Sequence, residues 1–348
     1  MDIVEDIKTK VSDKLETSTT TSSIGKTAGI ILILLLVIIG IVGFIWDDEP
    51  DLFDINENTT MLLQKNDVHK VTGSTTAATL LKLIDVLLHK RGGYLTNDIM
   101  PPGILMDNVP NWEFGVLVQV RDMARTLRNN LSRSQSQSTE DVALVSTENQ
   151  FYFDNDSWIL PATESEYRKG MDSLQDYLIR LGDKDSPDAQ FYARADNLGI
   201  WLSEVETRLG SLSQRLSASV GKHQLNTALA GDSAATQSTE SAQSSHMKTP
   251  WMELDDVFYE ARGTTWALIH LLRAVEVDFQ EVLQKKNALI SLQHIIRELE
   301  PAQDTLWSPV ILNGSGLGIM ANHSLVMGSH ISRANAAIID LRRLLEEG

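Results

Sequence analysis

Between Thr27 and Trp46 the chain reads TAGIILILLLVIIGIVGFIW, twenty residues without a charged side chain. As an α-helix rising about 1.5 Å per residue, such a segment crosses the ~30 Å hydrocarbon core of a bilayer. It also satisfies its own backbone hydrogen bonds, which lipid cannot do for it. Lys26 opens the segment, and Trp46 closes it at the depth an indole favours. Unbroken hydrophobicity of this length fits a buried core helix poorly. A cleaved signal peptide calls for an apolar core of about 7–15 residues and a small-x-small cleavage site. Gly43-Phe44-Ile45-Trp46-Asp47 offers no such site. The expectation is an uncleaved signal anchor, a single transmembrane helix over 27–46.

Lysines set the expected orientation. Lys8, Lys10, Lys14 and Lys26 precede the segment, and Lys65 alone lies in the twenty residues after it. Basic residues collect on the cytoplasmic side, so the N-terminus is expected in the cytoplasm and the bulk of the chain outside it. In a bacterium this is an inner-membrane protein with a periplasmic domain. In the tail, 1–26, Ile3, Ile7, Val11 and Leu15 recur every four residues and suit an amphipathic helix over 2–16. Residues 47–57 hold six acids and no Lys or Arg, and read as a solvated acidic neck.

The formal net charge of −17 excludes nucleic acid as a partner, because phosphate contacts need clustered Lys and Arg. The absence of cysteine excludes disulfides, thiolate metal sites and thiol nucleophiles.

From 58 to 348 the pattern is helical. Phe191, Ala195, Leu198, Leu202, Val205, Leu209, Leu212 and Leu216 are spaced 4-3-4-3-4-3-4, behind a Ser186-Pro187-Asp188 start signal. Tyr167–Leu181, Val116–Leu127, Leu268–Val282 and Ile331–Leu345 carry similar seams, and Leu80–Leu88 suits a first helix at roughly 75–90. The fold class expected is all-α, one transmembrane helix followed by an antiparallel bundle with long heptad-patterned helices. Two low-complexity runs interrupt it, SRSQSQST (132–139) and the flexible segment 231–249. The second either divides subdomains at 58–225 and 250–348 or loops out of one bundle. The latter is preferred, since the last helices alone would bury a poor core.

Three loops exceed what bundle connections need: Arg91–Trp112, Phe151–Pro161 and Trp307–Gly318. Their Gly, Pro, Asn and Asp suit turns and caps over a bundle end, and the tryptophans suit plugs. If the loops converge, Tyr94, Asp98, Asp107, Asn108, Trp112, Glu113, Arg121, Asp154 and Trp158 form a binding cluster. No residue is assigned a catalytic role. Gly314-Ser315-Gly316-Leu317-Gly318 lacks the Lys-Ser/Thr of a P-loop, there is no HExxH or GxSxG, and His323 and His330 stand too far apart to share zinc. No metal and no cofactor are expected.

The strings Arg91-Gly92-Gly93-Tyr94, Pro101-Pro102-Gly103, Asp107-Asn108, Pro110-Asn111-Trp112-Glu113, Arg121-Asp122, Arg133-Ser134-Gln135-Ser136-Gln137-Ser138 and Phe153-Asp154-Asn155 with Trp158 resemble a bacterial family known only as domain of unknown function 2333. The resemblance runs from the apolar segment to the C-terminus. It implies a bacterial inner-membrane protein and, since the family has no assigned activity, no catalytic residue. It also implies that SRSQSQST is an ordered helix extension with a contact role.

The function expected is a scaffold, tether or adaptor in the cell envelope. The alternative is a membrane-anchored periplasmic hydrolase acting on cell-wall or glycan material through Asp98, Glu113 and Asp154. Expected partners are the bilayer through 27–46 and an envelope protein, with a homo-oligomer also open.

Overall fold

The computed structural model describes Lys10 and residues 26–133, 139–183, 188–225, 244–308, 310–315 and 317–347. The amphipathic reading of 2–16 and the central part of SRSQSQST lie outside the described residues. So does most of 231–249, whose last part, Ser244–Met247 (β2), pairs antiparallel with Lys222–Leu225 (β1). Apart from an isolated bridge between Asn313 and Asn322, every other regular element among the described residues is helical, as expected.

Lys26–Trp46 forms helix α1, long and apolar enough to cross a membrane, and it leaves the domain without burying its length. Among the described residues ten further α-helices follow: α2 (Ile55–Asn66), α3 (Ser74–His89), α4 (Asn108–Thr126), α5 (Val142–Phe151), α6 (Thr163–Gly182), α7 (Ala195–Ser217), α8 (Leu254–Asp278), α9 (Gln280–Lys285), α10 (Leu289–Leu299) and α11 (His323–Glu347). Two helix pairs are tied together antiparallel by side-chain bonds. Asp141–Arg180 and Thr147–Gly170 tie α5 to α6, while Glu206–Arg342 and Ser213–Gly328 tie α7 to α11.

Helix α8 is the axis of the domain and packs against α3, α4, α7, α10 and α11. Its apolar seam, Leu268, Leu272 and Val275, is fully enclosed, and Trp112, Trp201, Trp266, Tyr167 and Tyr177 are the largest fully buried side chains of the core. The closest crossing is with α4, where a β-carbon on Gly263 would run into the Trp112 carbonyl oxygen and one on Gly115 into that of Glu260. Glycine at both positions lets two backbones meet where any side chain would hold them apart.

Two boundaries differ from the heptad reading. Phe191 carries the first position of the 191–216 seam, yet α7 begins at Ala195. Residues around Phe191 instead run extended across the far end of the bundle. Tyr192 N donates to Leu131 O (2.6 Å), Tyr177 Oη to Gln190 O (2.7 Å), and the Phe191 ring meets Phe279 edge-on at 5.7 Å. The Leu268–Val282 seam likewise breaks at Asp278, where α8 ends and the short α9 begins.

The acidic segment 47–57 is not a solvated stalk. Its side and main chains are docked along α8, and from Ile55 onward it is already helix α2, with Asp54 Oδ1 accepting from Asn56 N (2.7 Å) and Glu57 N (3.0 Å) as its N-cap. The sequence conceals this because the partners lie more than 200 positions away.

Gly263→Ala is expected to destabilise the domain by about 1–3 kcal/mol through overpacking against Trp112. Gly199→Ala, inside α7 with nothing within 4 Å of the new methyl, serves as the unclashed reference and should gain about 0.5–1 kcal/mol. Thermal unfolding of the full chain in detergent, followed by circular dichroism, checks the difference.

Candidate functional site

All three long loops close the same end of the bundle, the end from which α1 departs. Helices α4 and α8 begin there, and α3, α7 and α10 end there, so the topology delivers the loops to one face without further folding.

The first loop is built on Glu113. This carboxylate on α4 is fully buried, and it accepts from Leu95 N (2.9 Å), from Thr96 N (2.8 Å) and Oγ1 (2.5 Å), and from Lys90 Nζ (2.7 Å), which is buried with it. Burial pushes its pKa up against the pull of Lys90 and the other donors. Four donors at one carboxylate fix where the chain turns after α3, and Lys90 Nζ adds a bond to Gly93 O (2.6 Å).

The second loop is clamped to the first and to α4. Tyr94 Oη donates to Asn155 O (2.9 Å), and Asn97 Nδ2 donates to Ser157 O (2.9 Å) and Glu164 Oε2 (2.8 Å). Arg121 Nε and Nη2 donate to the carbonyls of Phe151 (2.7 Å) and Phe153 (2.8 Å), so this guanidinium is spent on backbone. Thr163 Oγ1 donates to Asp154 O (2.8 Å). The third loop is pinned by Asn322, whose Nδ2 donates to Asn313 Oδ1 (2.8 Å) and Gly314 O (2.7 Å) and whose Oδ1 accepts from Leu325 N (2.8 Å) to start α11.

The neck completes this face. Glu49 accepts from Arg262 Nε through both carboxylate oxygens (2.9 and 2.7 Å), and Arg262 Nη1 reaches the carbonyls of Ala302 (3.1 Å) and Asp304 (2.9 Å). Trp266 Nε1 donates to Asp51 O (3.3 Å). His270 Nδ1 donates to Trp266 O (2.7 Å), its Nε2 accepts from Phe53 N (3.0 Å), and the Phe53 ring stacks on the imidazole at 3.9 Å. An imidazole that must accept there is neutral, and burial holds its pKa down at about 3. Arg91 pairs with Asp48 at the rim.

Between neck, α8 and the start of the third loop lies an open cavity of about 720 Å³, bordered by Phe44, Asp47, Asn108, Tyr259, Arg262 and Trp307. Burial and the neighbouring Glu49 raise the Asp47 pKa, and burial with Glu49 and Asp47 takes the Tyr259 hydroxyl up to about 12. The Arg262 guanidinium is already saturated by Glu49 and two carbonyls, which leaves an acidic cleft with no open cationic anchor among the described residues of its wall.

The nine residues singled out from the sequence do not form one cluster. Asn108 borders the cavity. Trp112, in contact with Trp266 at a 5.1 Å ring separation, Glu113 and Tyr94 are buried scaffold, and Arg121 is a loop clamp. Asp98 folds beneath the turn at Gly103 next to Glu164, with burial raising its pKa. Asp107, Asp154 and Trp158 face outward. Lys90 and Arg262 went unnoticed, Glu49 was read only as one of the acids of the neck, and His270, read as a polar-face or satisfied core histidine on a helix, is the satisfied core residue. Arg262 and His270 interrupt the apolar run ARGTTWALIHLL, and that interruption was the available signal. Among the described residues, no three His, Asp or Glu side chains gather as a metal-ligand set.

Lys90→Met leaves Glu113 buried without its counter-charge and is expected to cost about 3 kcal/mol, while the Lys90→Met/Glu113→Gln double variant recovers part of that loss in urea unfolding. A folded His270 near 3 against an ordinary value of 6.5 means the unfolded chain binds the extra proton between them. His270 therefore contributes its full stabilisation above pH 6.5 and loses it as pH falls, with a slope approaching about 1.4 kcal/mol per pH unit. The difference in pH dependence between wild type and His270→Gln, measured from pH 7.5 to 4.5 by urea unfolding, should show that slope.

No curated protein and no solved structure matches the chain. Residues 19–348 match the bacterial family described as "Uncharacterized protein conserved in bacteria (DUF2333)". That span takes in α1, the neck, all three loops and every helix of the bundle, and the chain belongs to this family.

Proposed function

We propose that this chain is a single-pass protein of the bacterial inner membrane, its N-terminus cytoplasmic, whose periplasmic helical domain serves as a scaffold, tether or adaptor for another envelope component. The observation that carries the reading is the docking of the neck. Glu49, Asp51 and Phe53 are each bonded to α8, which leaves little slack in the chain between anchor and bundle. A substrate-processing domain gains nothing from a fixed angle to its anchor, whereas a protein that positions a partner needs one. The lysines before α1 support the orientation. The hydrolase reading is weakened because Glu113 has all its accepting capacity committed to Lys90, Leu95 and Thr96.

Orientation is tested with Ala235→Cys in intact cells, a chain otherwise free of cysteine. A membrane-impermeant maleimide should label it once the outer membrane is permeabilised, and labelling only from the cytoplasmic side overturns the topology. The adaptor role is tested by photo-crosslinkers at Val142 and Ile290, both exposed apolar positions on the bundle. A discrete adduct with another envelope protein is expected. Background crosslinking at both, together with glycan hydrolysis by the purified chain, overturns it.

A further inference from the structure

Among the large apolar side chains exposed at the end of the bundle that bears the loops are those of two adjacent turns in the first and second loops. In the first, Ile104 N donates to Met100 O (3.2 Å) and Leu105 N to Pro102 O (2.8 Å). The resulting knuckle presents Ile99, Met100, Ile104 and Leu105 outward, with Met100 70% and Leu105 71% exposed. In the second, Trp158, Ile159 and Leu160 are exposed, Leu160 to 90%. Leu160 holds φ +59°, a left-handed conformation that bulky side chains rarely adopt. The bond from Asn97 to Ser157 O sets the two turns side by side.

Their position relative to α1 gives these side chains a meaning. Trp46 packs on Gly92, and a β-carbon on Gly43 would lie 3.4 Å from Pro102 Cβ. Gly43 stands three residues inside the end of α1, so the knuckle reaches back by about one helical turn, roughly 4.5 Å, past Trp46. A helix of 21 residues is only about as long as the hydrocarbon core is thick, so its last turn sits at the boundary between headgroups and acyl chains. The knuckle is held at that same depth. Neither 92–107 nor 153–162 contains Lys or Arg, so nothing in these turns would draw them to anionic headgroups.

We infer that the turns at 99–105 and 158–160 insert into the interfacial layer of the membrane that α1 crosses, giving the domain a second, apolar foothold in the lipid. The interaction is hydrophobic burial, of the kind by which interfacial segments sink about 5–10 Å below the headgroup surface. It works in a zwitterionic bilayer and is indifferent to salt. The inference rests on α1 being a membrane helix, and the test separates the two.

The full chain is reconstituted into phosphatidylcholine nanodiscs as four single-cysteine variants, Met100→Cys, Leu160→Cys, Val142→Cys and Ile38→Cys, each carrying the small fluorophore NBD. Val142 lies at the opposite end of the bundle beside Asp141, and Ile38 in the middle of α1. Quenching by a nitroxide attached near the lipid headgroup should be about threefold or more stronger at Met100 and Leu160 than at Val142, with iodide in the water showing the reverse order. Replacing a quarter of the lipid with phosphatidylglycerol should change neither. If nitroxide lipids at all depths quench Ile38 but leave Met100 and Leu160 at the level of Val142, the foothold is wrong and the anchor stands. If Ile38 is not quenched either, both fall. Protection of Met100 from iodide without quenching by lipid identifies a protein, a second copy included, as the occupant and overturns the inference.

Discussion

The architecture depends on a backbone-to-backbone contact between α4 and α8 at Gly115 and Gly263. Because those two residues lack β-carbons, Trp112 can lie against α8 and reach Trp266, and the start of α4 is held close enough for Glu113 to organise the turn after α3. The same proximity sets the height of α8 relative to the first loop. That height determines where Arg262, Trp266 and His270 meet the neck. Loops, neck and anchor are thus referred to one crossing, and packing density leaves that crossing little room to slide.

The fold class was legible because heptad seams are a property of local spacing. Leu174, Leu178 and Leu181 announce α6, and Ile331, Ile338 and Leu341 announce α11, without any knowledge of what they face. The reading failed where a seam residue was claimed by something other than a helix. Phe191 continues the seam of α7 in spacing, but its ring is needed against Phe279, and the chain straightens to deliver it. Helices α2 and α5 escaped notice for the opposite reason, being short and weakly amphipathic and cued mainly by the aspartate caps Asp54 and Asp141.

Loop convergence was only half legible. Composition marked 91–112 and 151–161 as unusual, and both do close one end of the bundle, bonded to each other through Tyr94 and Asn97. Composition could not say which polar residues were spent on holding the loops. Glu113 and Arg121 look as available in a string of letters as Asp107 and Asp154, yet the first two are consumed by Lys90, Thr96 and backbone carbonyls. The neck misled in the same way. Six acids in eleven residues signal solvation, and it is the distant Arg262, Trp266 and His270 that turn that stretch into a docked strap.

That strap has a consequence in time. Glu49 and Arg262 are separated by 213 positions, and Phe53 and His270 by 217, so the neck emerges from the ribosome long before the helix that receives it exists. Contacts of such long range close late, after the local hairpins α5–α6 and α10–α11 can already have formed. Throughout that interval Leu52 and Phe53 hang unpaired directly beside a hydrophobic segment. The acids around them keep the stretch hydrated and extended while it waits, and one of them then becomes the latch that ends the wait.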